Sequence, residues 1–428
     1  DQAGSRNNVQ RRIIQHDRGF FVQEEVNWND KVVLTLGLRS DKSTNNGDAN
    51  KLFYYPRASL ALNLGKLAGF AEPNSNGLSL VKLRAAYGES GNFPANGAIF
   101  TPLNAVVIGG ATGSLITTAA GNDELGPERQ LEIEAGIDIG FRNDRVVLEL
   151  TYYNKTINDF LLQVGQPPSS GFSTGWANAG DLNNQGLEIG LGLTALRSRN
   201  LNWTNQFNFW LNRSKVTKLN VPDFDEGGFA PFLGVFHIEE GKSPTQIVGS
   251  IPVEQDTRDG KADGLFAWGD AEPDFNLSWS ADLNWKKWEL GMLWHWKEGG
   301  SGVNLTTLLY DLSGTTWDYD DKTLDPTNTL NNGDYRISQL GASAELYIED
   351  IGYLRLREAS LSYHIGRSWW KKADLRVGLS ARNLLSFFSY NSYDPESSNF
   401  GFRAISSNIE VTPFPSSKSV FFNVWANF

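Results

Sequence analysis

The residues of this chain that could do chemistry lie mainly in its long connecting segments. Gln255-Asp256-Thr257-Arg258-Asp259-Gly260-Lys261-Ala262-Asp263 comes nearest to a metal-ligand pattern. A calcium loop needs oxygen ligands at alternating positions and a glycine at its sharp turn. Asp259, Gly260 and Asp263 meet that pattern, whereas Gln255 and Thr257 stand where carboxylate or Asn ligands are usual and Arg258 adds positive charge. Ca2+ on Asp259 and Asp263 is therefore one reading, and a solvated turn is the plainer one. Between Gly234 and Gly241-Lys242-Ser243 lie six residues, where a phosphate-binding loop has four, which excludes that motif. His16, His237, His295 and His364 are scattered and none belongs to a His-Glu-x-x-His pair. With no cysteine in the chain, thiolate zinc sites, disulfides and cysteine nucleophiles are excluded. No nucleophile–base pair or acid pair stands out, so no catalytic residue is assigned and an enzyme is not expected.

Aromatic side chains in the long segments form a second candidate site. Trp317, Tyr319, Tyr335, Phe388, Tyr390 and Tyr393 could line a ligand cavity, because flat rings beside hydrogen-bonding groups suit sugars or peptides. For any one of them, packing between loops is the plainer role. Asp394-Pro395-Glu396 is read as fixing loop shape, not as catalytic.

The elements that must position these residues are strands. Leu131, Ile133, Ala135, Ile137, Ile139 and Phe141 alternate with Glu132, Glu134, Gly136, Asp138 and Gly140, giving one oily and one polar face. The same alternation recurs from Val32-Leu34-Leu36-Leu38 through Trp288-Leu290-Met292-Trp294-Trp296 to Val420-Phe422-Val424-Ala426-Phe428. Segments of about ten residues suit tilted strands that cross a bilayer. Within 352–364 the apolar parity changes between Leu354/Leu356 and Leu361/Tyr363, which predicts a β-bulge.

Short turns at Asn29-Asp30-Lys31, Arg142-Asn143-Asp144-Arg145, Arg197-Ser198-Arg199-Asn200 and Lys286-Lys287 alternate with long segments at 90–129, 156–183, 214–274, 299–351 and 383–417. Short turns on one side and long loops on the other mark the two ends of an outer-membrane barrel. Trp28, Trp203, Trp285, Trp288, Trp369 and Trp370 sit beside the short turns, where an interfacial aromatic girdle belongs. The fold class is thus all-β, a transmembrane antiparallel β-barrel with about thirteen strands in this chain. Bacterial single-chain barrels normally have an even count, so an odd set is expected to be the tail of a longer barrel, with both sheet edges needing neighbours.

Composition agrees. The net charge of −11 argues against a nucleic-acid partner, which would call for a basic face. No run approaches the ~18–20 apolar residues of a transmembrane helix. A chain that starts Asp1-Gln2-Ala3-Gly4 has no secretory signal, and missing upstream sequence is the expectation.

Several stretches resemble the C-terminal half of SusC/RagA-type TonB-linked outer-membrane transporters of Bacteroidetes. They are "LVKLRAAYGESGNF" (80–93), "ELGPERQLEIEAGIDIGFRNDRVVLELTYYNKTINDFLL" (124–162), "NAGDLNNQGLEIGL" (178–191), "YIEDIGYLRLREASLSYHI" (347–365), "LSARNLLSFFSYNSYDPESS" (379–398) and the terminal "FPSSKSVFFNVWANF". The resemblance implies an N-terminal plug and a barrel of about 22 strands, of which residues 1–428 would supply the C-terminal part. It further implies TonB-dependent import of an oligosaccharide or oligopeptide, a SusD-like lipoprotein lid, energy from a TonB–ExbB–ExbD complex acting through the missing N-terminal part, and a homodimer. The alternatives are a siderophore or cobalamin receptor of the wider class and a structural or adhesive barrel that does not transport.

Overall fold

The computed structural model describes residues 12–70, 77–261, 263–367, 373–400 and 408–428. Its main body is one antiparallel sheet. Among the described residues thirteen strands follow one another along it: β1 (Asp17–Trp28), β2 (Val32–Ser43), β3 (Phe53–Asn63), β4 (Leu78–Asn92), β5 (Glu128–Phe141), β6 (Val146–Gly165), β7 (Thr174–Arg197), β8 (Leu201–Leu219), β9 (Phe275–Trp285), β10 (Trp288–Glu298), β11 (Tyr353–Gly366), β12 (Asp374–Phe387) and β13 (Ser419–Asn427). Each pairs with its predecessor, so the thirteen strands expected from alternation are the thirteen observed. The sheet is open among the described residues, with β1 and β13 as its edges.

Register makes the two faces continuous. Directly paired residues share a face, and the pairs Leu34–Leu60, Leu60–Ala85, Ala85–Ala135, Ala135–Tyr152 and Tyr152–Leu187 carry one apolar row from β2 to β7. Leu290–Leu361, Leu361–Leu379 and Leu379–Phe422 continue the same face to β13. On this face buried Asn205 accepts the indole N–H of Trp279 at 3.1 Å. The opposite face is polar. Arg84 spans from β4 to Asp138 at 2.9 Å and Thr151 at 3.1 Å. It crosses over Gly136, where a Cβ would lie 3.0 Å from the guanidinium.

Tight turns join the strands at one end. Asn29 and Asp30 (φ 50° and 54°) and Arg142, Asn143 and Asp144 (φ 53° to 57°) take the left-handed conformation that short hairpins demand. Trp28, Trp203, Trp285 and Trp288 flank these turns on the apolar face; Trp369 and Trp370 lie outside the described residues. The expected bulge is present at Arg357. Leu293 pairs with Glu358 and Trp294 with Leu356, so Arg357 has no opposite number.

One expectation about the long connections needs correction. Residues 156–183 are mostly strand, because β6 and β7 continue as a paired ladder and leave only 166–173 as connection. The polar residues read as loop here are solvated ladder above the apolar band. Helices were not foreseen in the loops. Helix α1 (Leu64–Ala68) follows β3, and α2 (Leu305–Leu312) and α3 (Asn332–Gln339) lie between β10 and β11.

Candidate functional site

The three long connections after β8, β10 and β12 fold together at the end opposite the tight turns. Strands at Phe224–Gly228, Val235–Ile238, Gln246–Ser250 and Leu265–Asp270 form one small sheet. Ser301–Asn304 pairs with Ile348–Asp350 on one side and Ile409–Glu410 on the other. Phe236, Ile247, Val303, Leu305, Leu308, Tyr347 and Ile409 give this cap its own apolar core, drawn from all three connections.

Helix caps begin the cap's order. Asn304 accepts the Thr307 N–H at 3.0 Å and Asn331 the Asp334 N–H at 2.7 Å, satisfying amides that a helix leaves open at its start. Arg336 on α3 then grips Asp311 of α2 through Nε (2.6 Å) and Nη2 (2.7 Å), and Asp318 through Nη1 (2.9 Å) and Nη2 (2.8 Å). Thr316 and Tyr347 also donate to Asp311. The bonds from Arg336 hold Asp318 below the usual carboxylate range.

The sequence-chosen aromatics separate into two groups. Trp317 is 74% exposed and Tyr393 42% exposed, with the Tyr393 hydroxyl bonded to that of Tyr310. Tyr390 is buried, and burial beside Glu410 pushes its hydroxyl well above the usual phenol value. Tyr319 donates to Asp334 at 2.7 Å and Tyr335 is half-buried on α3, while Phe388 is 37% exposed. Trp317 and Tyr393 face solvent, whereas Tyr319 and Tyr390 are tied into the cap.

In the calcium-like stretch, Asp259 accepts the Lys261 N–H at 3.0 Å and Asp263 the Leu265 N–H at 3.1 Å. Lys261 itself reaches Glu239 at 2.8 Å. Among the described residues no group of three or more Asp, Glu or His side chains is arranged to hold a metal ion.

A third cluster, which no sequence motif announced, joins the cap to the wall. Alternation puts Tyr353 and Arg355 on the polar face of β11, and the bulge turns Arg357 to the same side. Glu396 accepts from Tyr353 (2.6 Å), Arg355 (2.6 Å) and Arg357 (2.5 and 2.6 Å), and Asp394 from Arg355 at 2.7 Å. Burial raises the proton affinity of Asp394 and Glu396, but the arginine bonds outweigh it and both carboxyls lie below their usual range. Asp394-Pro395-Glu396 thus fixes the last long loop against the cap end of β11, as its loop-shaping role requires. The missed signal was Arg355-Leu356-Arg357 at the cap end of β11, two positive charges that need partners when buried.

The polar face of the wall also holds open grooves. One of about 420 Å3 lies over Gly190, lined by Glu149, Glu188, Asn208 and Trp210. Another of about 440 Å3 is lined by Glu25, Arg57, Glu132 and Glu134. Such surfaces suit hydrated polar contents.

Residues 1–384 match the family model described as TonB dependent receptor-like, beta-barrel. The chain is 28% identical over 409 residues to TonB-dependent receptor P3 of Formosa agariphila, covering 86% of this chain and 40% of that protein. It is 21% identical to TonB-dependent receptor SusC of Bacteroides thetaiotaomicron, covering 90% of this chain and 41% of SusC. Among solved structures, the RagAB peptide importer in its closed-closed state superposes with a TM-score of 0.75 at 22% identity, over 95% of this chain and 47% of that one. The chain thus spans less than half the length of each.

Proposed function

This chain belongs to the TonB-dependent receptor-like β-barrel family, and on that premise we propose that it is the C-terminal wall and loop region of an outer-membrane importer of large nutrients. The observation that carries the reading is the pairing of two features. A thirteen-strand wall keeps one face apolar and the other polar from edge to edge, and the loops at one end build a folded cap anchored on the polar face. An apolar outside and a polar inside are what a bilayer and a hydrated lumen require. The cap stands at the solvent end of that lumen, where solute must first be met.

In this reading the cargo is an oligosaccharide or oligopeptide, and Trp317 and Tyr393 supply exposed rings for it. Tyr319, Tyr335 and Tyr390 keep the cap in shape. A SusD-like lipoprotein covers the loops, and the energy-coupling complex acts through a plug contributed by sequence beyond these residues. The RagAB peptide importer, which has the same fold, carries one of these two classes.

The test is uptake by cells expressing the full-length receptor together with a SusD-like lipoprotein. Labelled glycan and peptide libraries should accumulate for one class only, and deletion of TonB should abolish it. Accumulation of neither class, together with uptake of a siderophore or cobalamin, would overturn the reading.

A further inference from the structure

On the polar face, a recess between β6 and β8 is made by a missing side chain. Gly190 of β7 stands in register with Glu149 on one side and Asn208 on the other, and two residues along β7 Glu188 stands between Thr151 and Trp210. Period two puts all six on one face, and together they line the groove of about 420 Å3 over the glycine. A Cβ at Gly190 would lie 3.6 Å from Oε2 of Glu149, so that carboxylate leans over the recess.

Trp210 borders the groove with a ring that is already held. Its indole stacks on the His295 imidazole with ring centroids 5.8 Å apart and planes 15° from parallel. His295 is fixed in turn by the Tyr353 hydroxyl at 3.1 Å and by Arg357 Nη2 at 3.0 Å. Those two side chains grip Glu396 at the foot of the cap, and the register row of Trp210 runs through Asn276 and Lys297 to Tyr353. The indole is nevertheless 37% exposed. A flat apolar surface is thus presented to the lumen with little rotamer freedom left to lose when a ligand stacks on it.

The polar rim both donates and accepts. Among the described residues the carboxylates of Glu149 and Glu188 have no hydrogen-bond or ion-pair partner, so their lone pairs are open. Thr151 Oγ accepts from Arg84 at 3.1 Å, and Asn208 Nδ2 gives one hydrogen to Ser278 at 3.3 Å, which leaves each with a hydrogen to donate. A lysine or arginine side chain only donates and would leave those hydrogens unmet. A uronate or sulfate would stand against two carboxylates. An extended peptide donates and accepts, but its amides lie along the chain and not around the edge of a flat apolar face. A neutral pyranose has apolar C–H bonds on its face and hydroxyls at its edge that donate and accept at once, the complement of this indole and rim.

We infer that the groove over Gly190 is a subsite for one neutral pyranose unit of an oligosaccharide on its way from the cap into the lumen. The inference rests on the import reading above and names glycan as the cargo met here.

The experiment uses cells expressing the full-length receptor with a SusD-like lipoprotein, and follows uptake of tritiated neutral gluco-, manno- and xylo-oligosaccharides at sub-saturating concentration. Gly190→Val fills the recess; its Cβ meets only ordinary contacts, so the barrel should assemble, which heat-modified mobility checks. Uptake of one of these glycans is expected to fall about tenfold in Gly190→Val and in Trp210→Ala, and to recover in part in Trp210→Phe, which keeps a flat ring. Glu149→Gln combined with Glu188→Gln should let oligogalacturonate compete for that uptake, which it should not do in the parent. Unchanged uptake in assembled Gly190→Val and Trp210→Ala, or equal competition in parent and double variant, overturns the subsite and leaves the import reading standing. TonB-dependent uptake of peptides in place of glycans does the same. Uptake of neither class overturns both.

Discussion

Asp311 is fully buried as a side chain, and the only cation against it among the described residues is Arg336. Replacing Arg336 by Met leaves a buried carboxylate uncompensated, a change that costs about 3–5 kcal/mol. Hydrogen exchange of the α2 and α3 amides should accelerate accordingly while amides of β5 to β7 stay protected; uniform exchange across both regions would contradict a local role. Two carboxyls of the cap respond to pH in opposite senses. Bonds from Arg336 depress Asp318, so its contribution is present above the unfolded value and is lost as pH falls through the folded one. Glu349 is pushed up by burial, against bonds from the Asn391 N–H and Asn304. Its contribution is complete below the unfolded value and is lost as pH rises through the folded one. Protection of the Asn391 amide should therefore increase as pH is lowered from about 7 to about 4, and Glu349→Gln should flatten that profile. None of these pairings was legible beforehand, because partners such as Asp311 and Arg336, or Glu349 and Asn391, lie far apart in sequence and meet only when loops pack.

At the scale of the element, period-two alternation carried nearly all the information. A strand that separates lipid from water must repeat every second residue, and this constraint shows in β5, β9, β10 and β13 without knowledge of their neighbours. Leu379 lies mid-strand on the apolar face, between Leu361 and Phe422. Leu379→Arg should cost about 2–4 kcal/mol near the bilayer midplane, whereas Ser380→Arg on the other face should be tolerated. Heat-modified mobility of the assembled receptor would register the difference, and equal loss in both variants would mean the faces are wrongly assigned. Arg357 offers a second test, since deleting it removes the bulge. Leu354 and Leu356 would then turn to the polar face, or Leu361 and Tyr363 would, and outer-membrane assembly should fail. Arg357→Ala keeps the count and should assemble with a loosened last loop. The parity change in β11 was visible as a switch from even to odd apolar positions. The true ends of β6 and β7 were not, because above the apolar band no lipid enforces alternation and a solvated ladder reads as a loop.

For the whole molecule, wall and cap are held by different forces and should fail separately. The wall rests on backbone pairing across thirteen strands, and the cap on an apolar core shared by three connections and pinned to β11 by Glu396 and Asp394. Limited proteolysis of the full-length receptor should cut within 220–274 and 299–352 while the stretch from β5 to β8 and the β9–β10 hairpin stay uncut, and Glu396→Gln should hasten cuts in the last connection. Cleavage of the wall at the same rate would show that the two are one cooperative unit. Strand number, the two faces, the aromatic girdle and the family of the wall were all legible in the residues, because each strand must satisfy the membrane locally and that demand is written residue by residue. The cap and the anchoring of Asp394 and Glu396 came only with the folded chain. Those features arise where segments distant in the chain are brought together, and no local period or motif records which side chains will meet there.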